Sequence, residues 1–261
     1  MSASSASLSI SEGLGVITLT RPESLNAMSE GLIGDFIACV DKVTADASVR
    51  AILIEAEGKH FCAGGDLKAI AAHQQASEFI GQLARGLHGA LDKLMNHPAP
   101  VVIAAQGAAA GAGLSLAASG DIVICGASSQ FSIAYLSLGL TADGGATWSL
   151  PRLIGRRLTQ EMAFLGRRLT AEEALTHGLV TRIVGDDDVR SEARAIAEKL
   201  AQGPTAAFGA FKRLLLASSQ TALVDQLESE ACSISQAMGS VDGREGVAAF
   251  LERRAPAFSG Q

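Results

Sequence analysis

Four cysteines, Cys39, Cys62, Cys125 and Cys232, are spread through the 261 residues with no CxxC pair among them. Reduced thiols of a cytoplasmic protein are therefore expected rather than a disulfide framework, each thiol sitting in an apolar or motif context. Positive charge is also short: 21 Lys and Arg against 27 Asp and Glu give a net charge of −6. With no basic-aromatic patch either, the chain is expected to bind neither nucleic acid nor an anionic membrane through its general surface. An anionic ligand would need local charge, for which Arg21, Lys59, Lys68, Arg253 and Arg254 are the candidates. Long apolar runs are missing as well, since residues 101–119 are interrupted by Gln106 and by several glycine and serine positions, so no spanning helix is expected. The opening stretch MSASSASLSISEGLG lacks a basic residue followed by an apolar run, so no targeting leader is expected. His60, His73, His88, His97 and His177 show no HExxH or comparable ligand spacing, and no metal is implied.

What is present suits a large core. With 48% hydrophobic residues, the chain can bury one large domain, or one domain with a small appendage. Leu8 and Ile10, then Val16, Ile17 and Leu19, flank a turn-like Glu12-Gly13-Leu14-Gly15 and predict a hairpin that ends at Arg21-Pro22. A helical stretch running to Val43 follows. Short β-branched runs at residues 51–54, 101–104 and 122–125 alternate with helix-like segments, which predicts a buried parallel sheet. Beyond residue 186 the period changes: Val189, Ala193, Ile196, Ala197 and Leu200, then Val224, Leu227, Ala231, Ile234 and Met238, fall at helical spacing. Gly203-Pro204 marks a break between two of these helices.

Two glycine-rich turns carry the chemistry. Lys59-His60-Phe61-Cys62-Ala63-Gly64-Gly65-Asp66-Leu67 follows a strand and precedes a helix-like stretch, an arrangement that frees backbone N–H groups toward a ligand. An ordinary turn with Asp66 as helix N-cap is the alternative. Gln106-Gly107-Ala108-Ala109-Ala110-Gly111-Ala112-Gly113 follows the next strand and does the same, although close packing of small residues would explain it too. The dinucleotide fingerprint is not met, because Leu116 stands where its third glycine would be.

Taken together and in order, FCAGGDL, GAAAGAGLSLAASGDIVIC, GLTADGGATWSLPRLIG and the terminal REGVAAFLERRAPAFSG resemble the crotonase (enoyl-CoA hydratase/isomerase) superfamily over nearly the whole chain, from LTRPESLNAM onward. The resemblance implies an α/β fold: a ββα spiral core with the active site, taken as residues 1–200, and a helical C-terminal trimerisation region, taken as residues 201–261. It implies an acyl-CoA substrate, with coenzyme A entering as part of that substrate and no separate cofactor, and a homotrimer or dimer of trimers. It also implies an oxyanion hole made by the N–H groups of Ala63 and Ala112. Ala63, Gly64, Gly65, Asp66 and Leu67 are expected to line the adenine and pantetheine site, with Arg21 and Lys68 toward the CoA phosphates. Arg253 or Arg254 is a candidate to reach a neighbouring copy's CoA phosphate.

Where familiar hydratases carry two glutamates, this chain has Ser115 and Tyr135. Adding water to a double bond is best served by two carboxylates. One acid remains nearby, Asp143 in Leu140-Thr141-Ala142-Asp143-Gly144-Gly145, where isomerases of the superfamily carry theirs. A single carboxylate can move one proton between two carbons of a substrate, so Asp143 is expected to be catalytic, with a helix N-cap as the alternative. The pattern is most similar to the 1,2-epoxyphenylacetyl-CoA isomerase branch, and the expected reaction is an epoxide isomerisation or a Δ3 to Δ2 double-bond shift. Hydration, or acyl-CoA binding without catalysis, is the alternative. A hydrolase built on Gly113-Leu114-Ser115-Leu116-Ala117 with Asp143 and His177 is a weaker rival, because Ala117 replaces the second elbow glycine.

Overall fold

A computed structural model describes residues 4–261; residues 1–3 of the polar opening stretch lie outside the described residues. The hairpin pairs β1 (Ala6–Ser11) with β2 (Leu14–Leu19) around Glu12 and Gly13, whose φ angles of 50° and 79° make the tight two-residue turn that suits strand twist. Leu14 and Gly15 thus belong to the strand rather than to the turn. Ser29 caps α1 (Glu30–Ala45), its hydroxyl accepting from the Leu32 amide. The chain continues through β3 (Ala51–Ala56), α2 (Leu67–Ala72), α3 (Ala76–Asn96), β4 (Val101–Ala105), β5 (Ala108–Ala110), α4 (Ala112–Ala117), β6 (Ile122–Gly126) and β7 (Gln130–Ser132). Then come α5 (Ala146–Leu153), α6 (Arg156–Phe164), β8 (Leu169–Thr170), α7 (Ala171–Thr176), β9 (Arg182–Val184), α8 (Val189–Ala201), α9 (Thr205–Ser218), α10 (Leu223–Gly239) and α11 (Val241–Glu252).

The main sheet has the order β1-β2-β3-β4-β6-β9, parallel except for the N-terminal hairpin. Its central strands are apolar on both faces because both are covered. Val16, Leu53, Val102 and Ile124 point to one side, where Val189, Ala193, Ala197 and Ala201 of α8 close over them. Ile17, Ile54, Ile103 and Val123 point to the other, into a core shared with Phe36 and Val40 of α1 and Leu87 and Leu94 of α3. Each fully buried Ile or Leu contributes about 1.5–3 kcal/mol, so the two-residue alternation between these cores fixes strand register. No helix among the described residues is long and apolar enough to cross a membrane.

The site depends on a second, smaller sheet of order β5-β7-β8. The chain leaves β4 and turns at Gly107 (φ 60°), where a Cβ would lie only 2.1 Å from the Lys59 carbonyl oxygen. That contact admits glycine alone, and it brings β5 alongside the segment after β3. Cys62 then bridges Ala109 as a strand would, its N–H donating to Ala108 at 3.1 Å and its carbonyl accepting from Ala110 at 2.9 Å.

At the other end, buried Lys212 of α9 pairs with Asp121 at 2.7 Å, tying the C-terminal helices to the sheet layer. The period read for α10 is present, but its apolar residues are exposed: Val224, Leu227, Ile234 and Met238, joined by Phe250 and Leu251 of α11.

Candidate active site

The two glycine turns are clamped together before any ligand arrives. Phe61, wholly buried, anchors the first, and its amide donates to the Gln106 carbonyl at 2.8 Å. Gly113 lets α4 press onto the first turn, because a Cβ there would meet the Cys62 carbonyl oxygen at 2.3 Å. Gly64, at φ 99°, does the same from the other side against Ala110.

Within the first turn the amides are not equivalent. The Ala63 N–H donates to the Leu25 carbonyl at 3.0 Å. The Gly64 carbonyl accepts from Met28 at 2.7 Å, and the Asp66 amide donates to Met28 at 3.1 Å. In this strand-like pairing of Gly65 with Met28, the amide of Gly65 itself points the opposite way, and among the described residues nothing accepts from it. The expectation that Ala63 supplies the free donor is therefore corrected: its proton is committed to Leu25, and the available amide lies two residues on. Residue spacing could not show this, since which amide is free depends on the pairing with residues 25–28. In the second turn, Ala112 is the first residue of α4, so its N–H has no partner within the helix, and among the described residues nothing else accepts from it.

Gly65 and Ala112 both line a cavity of about 660 Å³, counting its solvent-open mouth, with Ala63, Gly64, Leu67, Tyr135 and Asp143 also in the wall. The rest of the wall is apolar: Ile33, Ile70, Leu83, Leu87 and Leu138 are among its members. Asp143 is the one carboxylate among the described residues of that wall. Two amide donors and one carboxylate in an apolar cleft can hold an oxygen gaining negative charge while a proton moves beside it.

The turn that carries Asp143 is set by Gly144 and Gly145, at φ 60° and 76°. The helix-cap alternative does not hold, because Gly145 is the N-cap of α5 and no side chain caps it. The Asp143 carboxylate accepts from the Tyr135 hydroxyl at 2.5 Å, and its backbone carbonyl accepts from Ser115 Oγ at 2.9 Å. The Ser115 and Tyr135 oxygens are 3.2 Å apart. Burial first, then the charge of Asp143, pushes the Tyr135 phenol well above its ordinary range, so it is a donor and not a base. The Gly144 amide donates to His88 Nε2 at 2.9 Å. Nothing in the sequence singled out His88, because an imidazole nitrogen acting as an acceptor has no motif. The α3 residues Ile80, Leu83, Ala84 and Leu87 were also missed, although their helical spacing was visible.

Other sequence candidates fall outside the cavity wall. Asp66 caps α2, accepting from the Ala69 amide at 3.2 Å. Arg21 donates to the Ala27 carbonyl at 3.1 Å and to Ser29 Oγ at 2.7 Å, with Asp66 at 3.7 Å, so it braces the strand that pairs with the first turn. Lys68 is exposed on α2. Ser115 is buried inside α4 rather than raised on a strand-to-helix elbow, and His177 follows the last turn of α7, so the hydrolase reading has no support here. Burial pushes the Cys62 thiol up to about 12, which removes it as a nucleophile.

The "Enoyl-CoA hydratase/isomerase" family model matches residues 9–261. A protein of Rhodobacter capsulatus named "Probable enoyl-CoA hydratase" is 40% identical, over 97% of this chain and 96% of its own length. The "1,2-epoxyphenylacetyl-CoA isomerase" of Escherichia coli is 36% identical, over 97% of each chain. Among solved structures, an enoyl-CoA hydratase from Polaromonas sp. JS666 superposes with a TM-score of 0.92 at 33% identity, covering 97% of this chain and 99% of that one. With the sheet order, the interlocked turns and matches of this extent in agreement, the chain belongs to the enoyl-CoA hydratase/isomerase family and has the crotonase fold.

Proposed function

We propose that this protein is an acyl-CoA isomerase that moves one proton between two carbons of the acyl group through a thioester enolate. The N–H groups of Gly65 and Ala112 receive the thioester oxygen as it gains charge. Asp143 takes the proton next to the carbonyl carbon and returns it two atoms further along. A Δ3-enoyl-CoA and the epoxide of phenylacetyl-CoA are the two substrate types this chemistry serves, and the second agrees with the name of the E. coli relative.

The observation that carries the reading is the count of carboxylates. Asp143 is the one carboxylate among the described residues of the cavity wall, and the two positions that carry glutamates in the hydratase pattern hold hydroxyls that donate to it. Hydration needs one group to activate water and another to deliver a proton. Neither Ser115 nor Tyr135 is basic enough to do the first. The name of the R. capsulatus relative favours hydratase chemistry, and crotonyl-CoA is the substrate that separates the two readings.

The test supplies a 3-enoyl-CoA and crotonyl-CoA in parallel and follows the conjugated thioester by its absorbance. Rise of conjugation from the first, with slow or no loss from the second, is expected. Rapid loss of crotonyl-CoA without isomerisation would overturn the reading.

A further inference from the structure

Ser115, Tyr135 and Asp143 form a connected set of oxygens whose protons can be counted. The carboxylate has none to give, and the phenol has one, which lies on the 2.5 Å contact to Asp143 Oδ1. The single proton of Ser115 has three acceptors in reach: the Gly111 carbonyl at 3.3 Å, the Asp143 carbonyl at 2.9 Å and the Tyr135 oxygen at 3.2 Å. Tyr135 therefore cannot turn its proton toward Ser115 without stripping Asp143 of its donor. Among the described residues, Oδ2 of Asp143 has no partner.

We propose that Tyr135 is a positioning residue whose hydroxyl permanently occupies Oδ1 of Asp143, leaving Oδ2 as the single oxygen that moves the proton. The inference rests on Asp143 being the base. The step balances as follows: the C–H bond beside the carbonyl breaks, its electron pair passes to the thioester oxygen, and an O–H bond forms at Oδ2. That O–H bond then breaks, the proton joins the carbon two atoms away, and the enolate pair returns to carbon. One oxygen, held in one place, delivers the proton to the face from which it came.

The other titrating group packed against this turn is His88 of α3, through the Gly144 amide, and no other side chain in the cavity wall is charged. His88 is retained in every variant below. The chain has one tyrosine, so growth on 3-fluorotyrosine labels this position alone with a near-isosteric, more acidic phenol. The 19F resonance is expected to move as Asp143 ionises and to lose that step in Asp143→Asn. The acid limb of kcat/KM is expected to shift to lower pH in the fluorinated protein. In Tyr135→Phe it should shift upward by about one to two pH units, the worth of a lost hydrogen bond to a charged group. A tyrosine that merely packs would move neither the resonance nor the limb. If Asp143→Asn is inactive while the resonance ignores pH and all acid limbs coincide, the positioning role is overturned and the base assignment stands. Wild-type turnover in Asp143→Asn overturns both.

Discussion

The Ala63 amide and the Leu25 carbonyl lie 3.0 Å apart in a hydrogen bond, and this one contact decides which backbone groups of the first glycine turn remain open to a ligand. Residues 25–28 run beside the turn like an added strand, taking the amides of Ala63 and Asp66 and leaving that of Gly65. Replacing single amides by esters tests the assignment without changing any side chain. An ester at residue 65 or 112 is expected to lower turnover by about 10² to 10³, the usual effect of losing one oxyanion donor. An ester at residue 63 should instead cost about 1 kcal/mol of stability, with turnover nearly intact. Equal loss of turnover at residues 63 and 65 would return the role to Ala63.

Acid should release the C-terminal segment first. Glu245 accepts from Arg254 at 2.6 and 2.9 Å and from the Ala257 amide at 2.8 Å, and these bonds lower its carboxyl from 4.5 to about 2. A depressed carboxylate contributes stability that is fully present above its unfolded value and is lost as pH falls through the folded one. Hydrogen exchange at residues 254–258 is therefore expected to rise between about pH 4.5 and pH 2. Glu245→Gln should show raised exchange there at neutral pH and no such acid step. An unchanged profile would contradict the assignment.

Much of this fold was legible because two-residue and helical periods are properties of neighbouring side chains. The alternation in Val16-Ile17 and Val102-Ile103 sorts residues between two cores, and the α8 period finds the helix that covers one of them. Asp143 was legible as the remaining acid. The free amide at Gly65 was not, because it depends on a pairing with Met28 that no local pattern encodes. Nor was the bond from Tyr135 to Asp143, since position 135 stood out in the sequence only for the glutamate it lacks.

The exposed apolar residues of α10 and α11 need a cover: Phe250 is 83% exposed and Val224 76%. Isolated apolar residues on a surface are ordinary, but a run along two consecutive helices marks an interaction face. We propose that other copies of this chain cover it in a trimer or a dimer of trimers. Sedimentation at micromolar concentration should give three or six times the chain mass, and Phe250→Asp with Val224→Asp should lower it. A wild-type monomer would refute the proposal.

Asp143→Asn isolates the proton-transfer step because the two side chains are nearly the same shape and only one can take up a proton. The Tyr135 hydroxyl can still donate to the amide oxygen of asparagine, and the Asp143 backbone carbonyl that accepts from Ser115 is unaffected. The turn set by Gly144 and Gly145 has no need of the carboxylate, since no side chain caps α5. Thermal unfolding and affinity for a product acyl-CoA are therefore expected to stay close to wild type, while turnover of a 3-enoyl-CoA falls by about 10² to 10⁴, the usual worth of general acid–base catalysis. The loss belongs in kcat, because the proton is taken only as the transition state forms. A rise in KM at unchanged kcat would instead make Asp143 a binding residue, and folded Asp143→Asn with full turnover on both the 3-enoyl and the epoxyphenylacetyl thioesters would place the base elsewhere in the cavity.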